Sequence, residues 1–121
     1  MVPYVRFEAW RCAHRLALEV YRRSDGWPRE ERYELTAQLR RAALSAAANI
    51  AEGSAKRGPR EFRRYLDISL GSLSELSYYL LFASDRGLLD SLDWEELDGM
   101  RNRTGKLAWC LLRAVGNSIR P

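Results

Sequence analysis

Histidine and cysteine are almost missing from this 121-residue chain. His14 stands alone, and the two cysteines, Cys12 and Cys110, lie far apart with no CxxC spacing. A zinc or iron centre needs several such ligands at short, regular spacings, so no metal and no other cofactor is expected. Both thiols read as reduced and mostly buried small apolar groups, and His14 as a surface or boundary residue. Long apolar runs are missing too: none approaches the roughly 20 residues that span a bilayer. The opening "MVPYVRFEAWRC" lacks the charged, apolar and small-residue blocks of a signal peptide. No membrane contact and a cytoplasmic location are therefore expected. The apolar/polar alternation of a β-strand is found nowhere. An enzyme is poorly supported, because neither an inward Glu-x-x-His pair nor a Ser, Cys or Lys nucleophile with a neighbouring base is evident.

What is there is a helical period. Apolar residues recur every three to four positions in four blocks, at about 5–24, 28–53, 59–86 and 93–118. One domain spanning 1–121 suits this length. Short connections between four helices imply an all-α, antiparallel up-down four-helix bundle, which places Cys12 and Cys110 towards the same end. The first helix offers Phe7, Trp10, Ala13, Ala17, Val20 and Tyr21 as its inward stripe; Gly26 suits a left-handed cap, and Pro28 the first turn of the second helix. Glu30 and Glu31 then fall where a helix dipole favours carboxylates. The second helix turns Leu35, Leu39, Ala42, Ala43, Ala46 and Ile50 inward and stops near Gly53. The third, opening on Pro59, uses Phe62, Tyr65, Leu66, Leu73, Leu76, Leu80 and Ala83. In the fourth, Asp93 and Glu96 read as a capping box, Leu92 and Leu97 as a hydrophobic staple. Its stripe continues through Met100, Leu107, Leu111, Ala114 and Val115.

The third helix is apolar on a second side as well. Ile68 and Leu70 belong to this second set, and Tyr78, Tyr79, Leu81 and Phe82 are its candidate homo-oligomer interface, since a monomer would leave them in water. Alanines 42, 43, 46, 47 and 48 allow close helix packing. Beside them Arg41, Ser45, Asn49 and Glu52 form a polar seam. A hydrogen-bonded network that fixes register or an oligomer contact is the simpler account of Asn49; ligand recognition is the sharper one.

The formal net charge is +4, and Lys56 and Lys106 are the only lysines among the 20 basic residues. An arginine-rich surface suits bidentate phosphate contacts, though codon preference alone would produce the same usage. Arg40 and Arg41 on the second helix, with Lys56, Arg57, Arg60, Arg63 and Arg64 at the entrance to the third, are the candidate nucleic-acid-binding residues. Arg11, Arg15 and Arg22 form a further stripe, and Arg101, Arg103 and Lys106 a further patch. A solvated charged face is the commoner account of any one such cluster.

The blocks "QLRRAALSAAANIAEGSAKRG" and "FRRYLDISLGSLSELSYYLLFASDRGLL", preceded by "FEAWRCAHRLALEVY", resemble the bacterial four-helix-bundle proteins encoded by intervening sequences within large-subunit ribosomal RNA genes. That family also includes the accessory variability determinant of diversity-generating retroelements. Members often carry Ser-Ile-Pro in the second helix; "SAAAN" stands here instead. The resemblance implies a non-enzymatic protomer, often assembled as a homopentameric barrel. In the retroelement branch the resemblance implies basic surfaces that bind nucleic acid and a reverse transcriptase, so RNA or DNA, and a reverse transcriptase if the chain is of that branch, are the partners it suggests. Two functions follow as expectations: an oligomeric nucleic-acid-binding or scaffold protein, and, as the alternative, an interaction module that docks an acidic protein without nucleic acid.

Overall fold

In the computed structural model, which describes residues 3–119, four α-helices follow one another: α1 (Glu8–Ser24), α2 (Leu35–Ser54), α3 (Pro59–Asp85) and α4 (Ser91–Asn117). The outermost residues of the expected 1–121 domain lie outside the described ones. Among the described residues there is no strand. Each helix packs on the next, and α1 closes the ring against α4. Cross-helix contacts give the directions. Ser69 and Ser72 of α3 meet Ala46 and Ser45 of α2 in reverse order. Arg23 near the end of α1 reaches Asp93 and Glu96 near the start of α4, while Glu8 at the start of α1 reaches Arg103 further along α4. The neighbours are antiparallel, and the protein is an up-down four-helix bundle.

The expected inward stripes of α2 and α3 are the observed core. Leu35, Leu39, Ala42, Ala43, Ala46 and Ile50 are buried, as are Leu66, Leu73, Leu76, Leu80 and Ala83. Phe62 and Tyr65 are half-buried at its edge. Of the alanine run, Ala48 faces solvent while the other four are buried. Small polar groups pack there as well. Ser69 Oγ donates to Ala46 O at 2.7 Å, the Ser45 and Ser72 hydroxyls lie 2.7 Å apart, and Asn49 Nδ2 donates to Ser45 O and Oγ at 2.8 and 2.9 Å. Asn49 therefore belongs to a hydrogen-bonded network between α2 and α3, the simpler of its two accounts.

Several boundaries differ from the sequence expectation, each for a local reason. The first helix begins at Glu8 because Pro3–Arg6 forms a separate 3-10 turn and Phe7 is extended (φ −84°, ψ 123°). The second begins at Leu35 rather than 28, after a 3-10 turn at Arg29–Glu31. Residues 28–34 supply no buried side chain, and helices in proteins depend mainly on a packed apolar face. Glu30 and Glu31 thus do not sit in the first turn of α2; Glu31 pairs with Arg86 instead. Gly26 is not left-handed; Gly58 (φ 85°) and Gly87 (φ 77°) are the described glycines with positive φ. Gly87 closes α3 in a Schellman arrangement, its N–H donating to Ser84 O and that of Leu88 to Ala83 O. The second helix does end near Gly53, at Ser54; Gly53 lies in its last turn, where a Cβ would come 2.7 Å from Tyr65 Cβ. The cap of α4 is Asp90, whose carboxylate accepts from Asp93 N at 2.7 Å, not Asp93, and Leu92 is too exposed to staple. The inward face of α4 is Leu97, Thr104, Ala108 and Leu112, with Ala114 exposed. On α1, Leu16 is buried and Tyr21 lies at the surface. Cys12 is buried, but Cys110 is exposed.

Candidate nucleic-acid interface

The seven candidate basic residues fall into two separate sets. Arg40 and Arg41 sit in the first half of α2; at 1.5 Å per residue they lie about 20 Å along the axis from the loop that carries Lys56 and Arg57. Arg40 is held inside the fold. Its Nε donates to Ser24 Oγ at 2.9 Å and its Nη2 to Tyr21 O at 3.1 Å, and its guanidinium covers the Tyr21 ring at 4.4 Å. It thereby ties the last turn of α1, with its unpaired carbonyls, to α2. Arg41 is exposed, 3.5 Å from Gln38 Oε1, on the outer face of α2.

The second set surrounds the start of α3. Gly58 supplies the left-handed turn that reverses the chain, and Pro59 occupies the first helical turn, where its missing N–H costs nothing. Arg60, Arg63 and Arg64 follow within one turn. Lys56 lies 3.9 Å from Glu52 and 5.3 Å from the Tyr65 ring centroid. Arg64 also packs on that ring, at 4.7 Å, and pairs with Glu61 at 3.2 Å, whose hydrogen bond makes its guanidinium hold its proton still more firmly. Both ion pairs are largely in water, where such contacts are worth at most about 1 kcal/mol and release readily. Arg57, Arg60 and Arg63 form no ion pair among the described residues.

Arg60 and Arg63 turn towards the end of α4. With Trp109, Arg113 and Gly116 they line a groove of about 510 Å³. The Arg63 side chain lies across Gly116, where a Cβ would stand 3.8 Å from Nη1. Arg113 and Trp109 were not among the sequence candidates. The signal for them was the topology: antiparallel α3 and α4 set the first turns of one beside the last turns of the other. Arg101 and Arg103, by contrast, pair with Asp98 and Glu8, each at 2.8 Å. On α1, Arg22 pairs with Glu19 at 2.7 Å and Arg11 donates to Val5 O, while Arg15 is exposed. Hydrogen bonding to Arg22, reinforced by Arg23, holds the Glu19 carboxyl at about 2. Arg23 lies half-buried between α1 and α4, bonded to Asp93 at 2.5 Å and Glu96 at 2.6 Å. His14 is exposed and stacks on Trp10 at 5.0 Å.

At the opposite end of the bundle, Tyr78, Tyr79 and Phe82 of α3 line a second groove with Tyr33, which is 84% exposed. Burial, and after it the hydrogen bond to Glu75, push the Tyr79 phenol upward. Leu81 is exposed but does not line this groove, since one residue turns a helix by about 100°. Among the described residues no group of three or more His, Cys, Asp or Glu side chains could hold a metal, and no helix is long and apolar enough to cross a membrane.

This is the class of small up-down helical bundle with a basic groove at one end and an aromatic one at the other. More narrowly, the chain belongs to the 23S rRNA-intervening sequence protein family, whose model matches residues 6–109. Its fold is similar to the crystal structure of a protein of unknown function from the S23 ribosomal protein family of Bacteroides thetaiotaomicron VPI-5482. That likeness has a TM-score of 0.81 at 18% identity and covers 93% of this chain and 99% of the other. No curated protein matches the sequence.

Proposed function

We propose that the protein is a non-enzymatic scaffold of the cytoplasm that binds nucleic acid through Lys56, Arg57, Arg60, Arg63 and Arg64. In this reading it works as a homo-oligomer, a pentamer, assembled through the aromatic face of α3 with Tyr78, Tyr79 and Phe82. The observation that carries the reading is the charge balance at the start of α3. Three arginines without an ion pair among the described residues, and two cations in weak solvated pairs, surround a helix end whose N–H groups already favour an anion. A polyanion would relieve that crowding. Repetition of the cluster in each copy of an oligomer would turn a modest charge per chain into a strong field. Phosphate contacts dominate in this reading, and sequence preference is weak.

The test is binding of nuclease-treated protein to duplex DNA, single strands and structured RNA across a salt series, with the solution mass recorded. Replacing Lys56, Arg57, Arg60 and Arg64 together by glutamine is expected to weaken binding and flatten its salt dependence, by about 0.7 in log–log slope for each lost single-strand phosphate contact. An unchanged slope removes this cluster from the site. No binding at low salt overturns the reading and favours an acidic protein partner, and a monomeric mass overturns the assembly.

A further inference from the structure

The groove beside Arg60 and Arg63 does not end at Trp109. The same indole forms the wall of a second groove, of about 280 Å³, that continues along the α3/α4 seam past Gly105 and Lys106 to Arg101. Trp109 is 53% exposed, whereas Trp10, Trp27 and Trp94 are half-buried against the core. A Cβ at Gly105 would meet nothing within 4 Å, so the floor of the seam is open there. Lys106 and Arg113, on either side of Trp109, form no ion pair among the described residues. From Arg101 to Arg113 the track runs twelve residues of α4, or about 18 Å, the length over which one strand of a duplex carries about five phosphates.

We propose that this seam is a binding track for single-stranded nucleic acid, in which a base stacks on Trp109 while Arg60, Arg63, Lys106 and Arg113 hold the flanking phosphates. The inference rests on the nucleic-acid reading above and narrows it to unpaired strands. Charge selects a polyanion, and the indole selects among polyanions. A duplex keeps its base faces inside the stack and offers Trp109 only phosphate and sugar, whereas an unpaired strand offers a π-face on every nucleotide. The chemistry is shared by DNA and RNA, and stacking gives little sequence preference.

The experiment compares the parent with Trp109→Ala, Trp109→Phe, Lys106→Gln and Arg113→Gln. The probes are labelled single-stranded DNA and RNA of one mixed sequence and the corresponding duplex DNA. The parent is expected to bind the single strands more tightly than the duplex, and the stronger of DNA and RNA identifies the source. Trp109→Ala is expected to lose roughly 5- to 150-fold in single-strand affinity, the range for one stacked base, and much less on the duplex. Trp109→Phe should restore most of that affinity while abolishing the part of the tryptophan quenching that comes from stacking. Lys106→Gln and Arg113→Gln should each lower the salt slope by about 0.7. If the parent binds nucleic acid but Trp109→Ala binds as well as the parent and the two slopes do not change, the track is overturned and the general reading stands. If the parent binds none of the probes, both fall.

Discussion

Replacing Gly53 by alanine should destabilise the protein even though it improves the intrinsic helix propensity of α2. A new Cβ would lie 2.7 Å from Tyr65 Cβ, 3.0 Å from Phe62 Cδ1 and 3.3 Å from Phe62 O. Carbon atoms in contact normally sit about 3.5 to 4.0 Å apart, so roughly 1 Å must be found. Tyr65 Cβ is one bond from the backbone and cannot swing aside; α3 itself must move. Overpacking of this kind costs about 1 to 3 kcal/mol. Against it stands about 0.5 to 1 kcal/mol gained when glycine leaves a helix. The expected net loss is about 0 to 2.5 kcal/mol, or a fall in Tm of up to roughly 10 °C for a domain of this size. Gly71 is the matched control: it lies within α3 with nothing within 4 Å of its would-be Cβ, so Gly71→Ala should show only the propensity gain. Urea and thermal unfolding followed by circular dichroism would measure both variants. If Gly53→Ala is as stable as Gly71→Ala, the close approach of α2 and α3 is not what glycine is there for.

Arg23→Met should cost about 1 to 2 kcal/mol in urea unfolding, because two charge-assisted hydrogen bonds between α1 and α4 are lost while Asp93 and Glu96 can still reach water. A loss below a few tenths would deny Arg23 its clamping role. The Glu19 carboxyl is held at about 2 against an ordinary 4.5, so its charged form is favoured by folding. That stabilisation is complete above pH 4.5 and disappears as pH falls towards 2; Arg22→Gln should flatten this part of the stability profile, and an unchanged profile would refute the assignment. A thiol reagent should modify Cys110 rapidly and Cys12 only on unfolding, and Cys110→Ser should remove the fast phase. Ser69→Val should cost about 1 to 3 kcal/mol by overpacking the site where Ser69 bonds Ala46 O, detectable as a lowered urea midpoint with an unchanged slope.

The bundle was legible where the burial pattern is made of apolar residues. Leu35, Leu39, Ile50, Leu66, Leu73 and Leu80 repeat at the helical period, and all are buried. Legibility failed where buried residues are polar by type. Ser24, Ser69, Ser72 and Thr104 are buried because their hydroxyls are short and find a carbonyl or another hydroxyl nearby, as Thr104 does with Met100 O at 2.8 Å. A pattern reader counts them as surface, so Thr104 is missing from the expected face of α4; of that face Leu97 is buried and Met100, Leu107, Leu111 and Val115 pack against the core, while Ala114 is exposed. Boundaries failed where a favourable terminal signal had no packing behind it. Pro28 with Glu30 and Glu31 resembles a helix start, but the α-helix waits for Leu35, the first residue there with a core to enter.

Sequence shows how many arginines there are; only packing shows what each one faces. Arg23 and Arg40 are absorbed by the joints of α1 with α4 and α2, and Arg22, Arg101 and Arg103 by carboxylates beside them. Arg60 and Arg63 sit near the N-terminus of α3, where the helix dipole opposes them. Antiparallel packing offsets this by setting them against the last turns of α4, whose C-terminal carbonyls favour cations and where Arg113 also lies. Among the described residues the groove therefore holds three guanidinium groups and no carboxylate. Placing the same residues on α3 alone would have made an unstable helix start. Beside the end of α4 they make a basic surface that the fold itself tolerates.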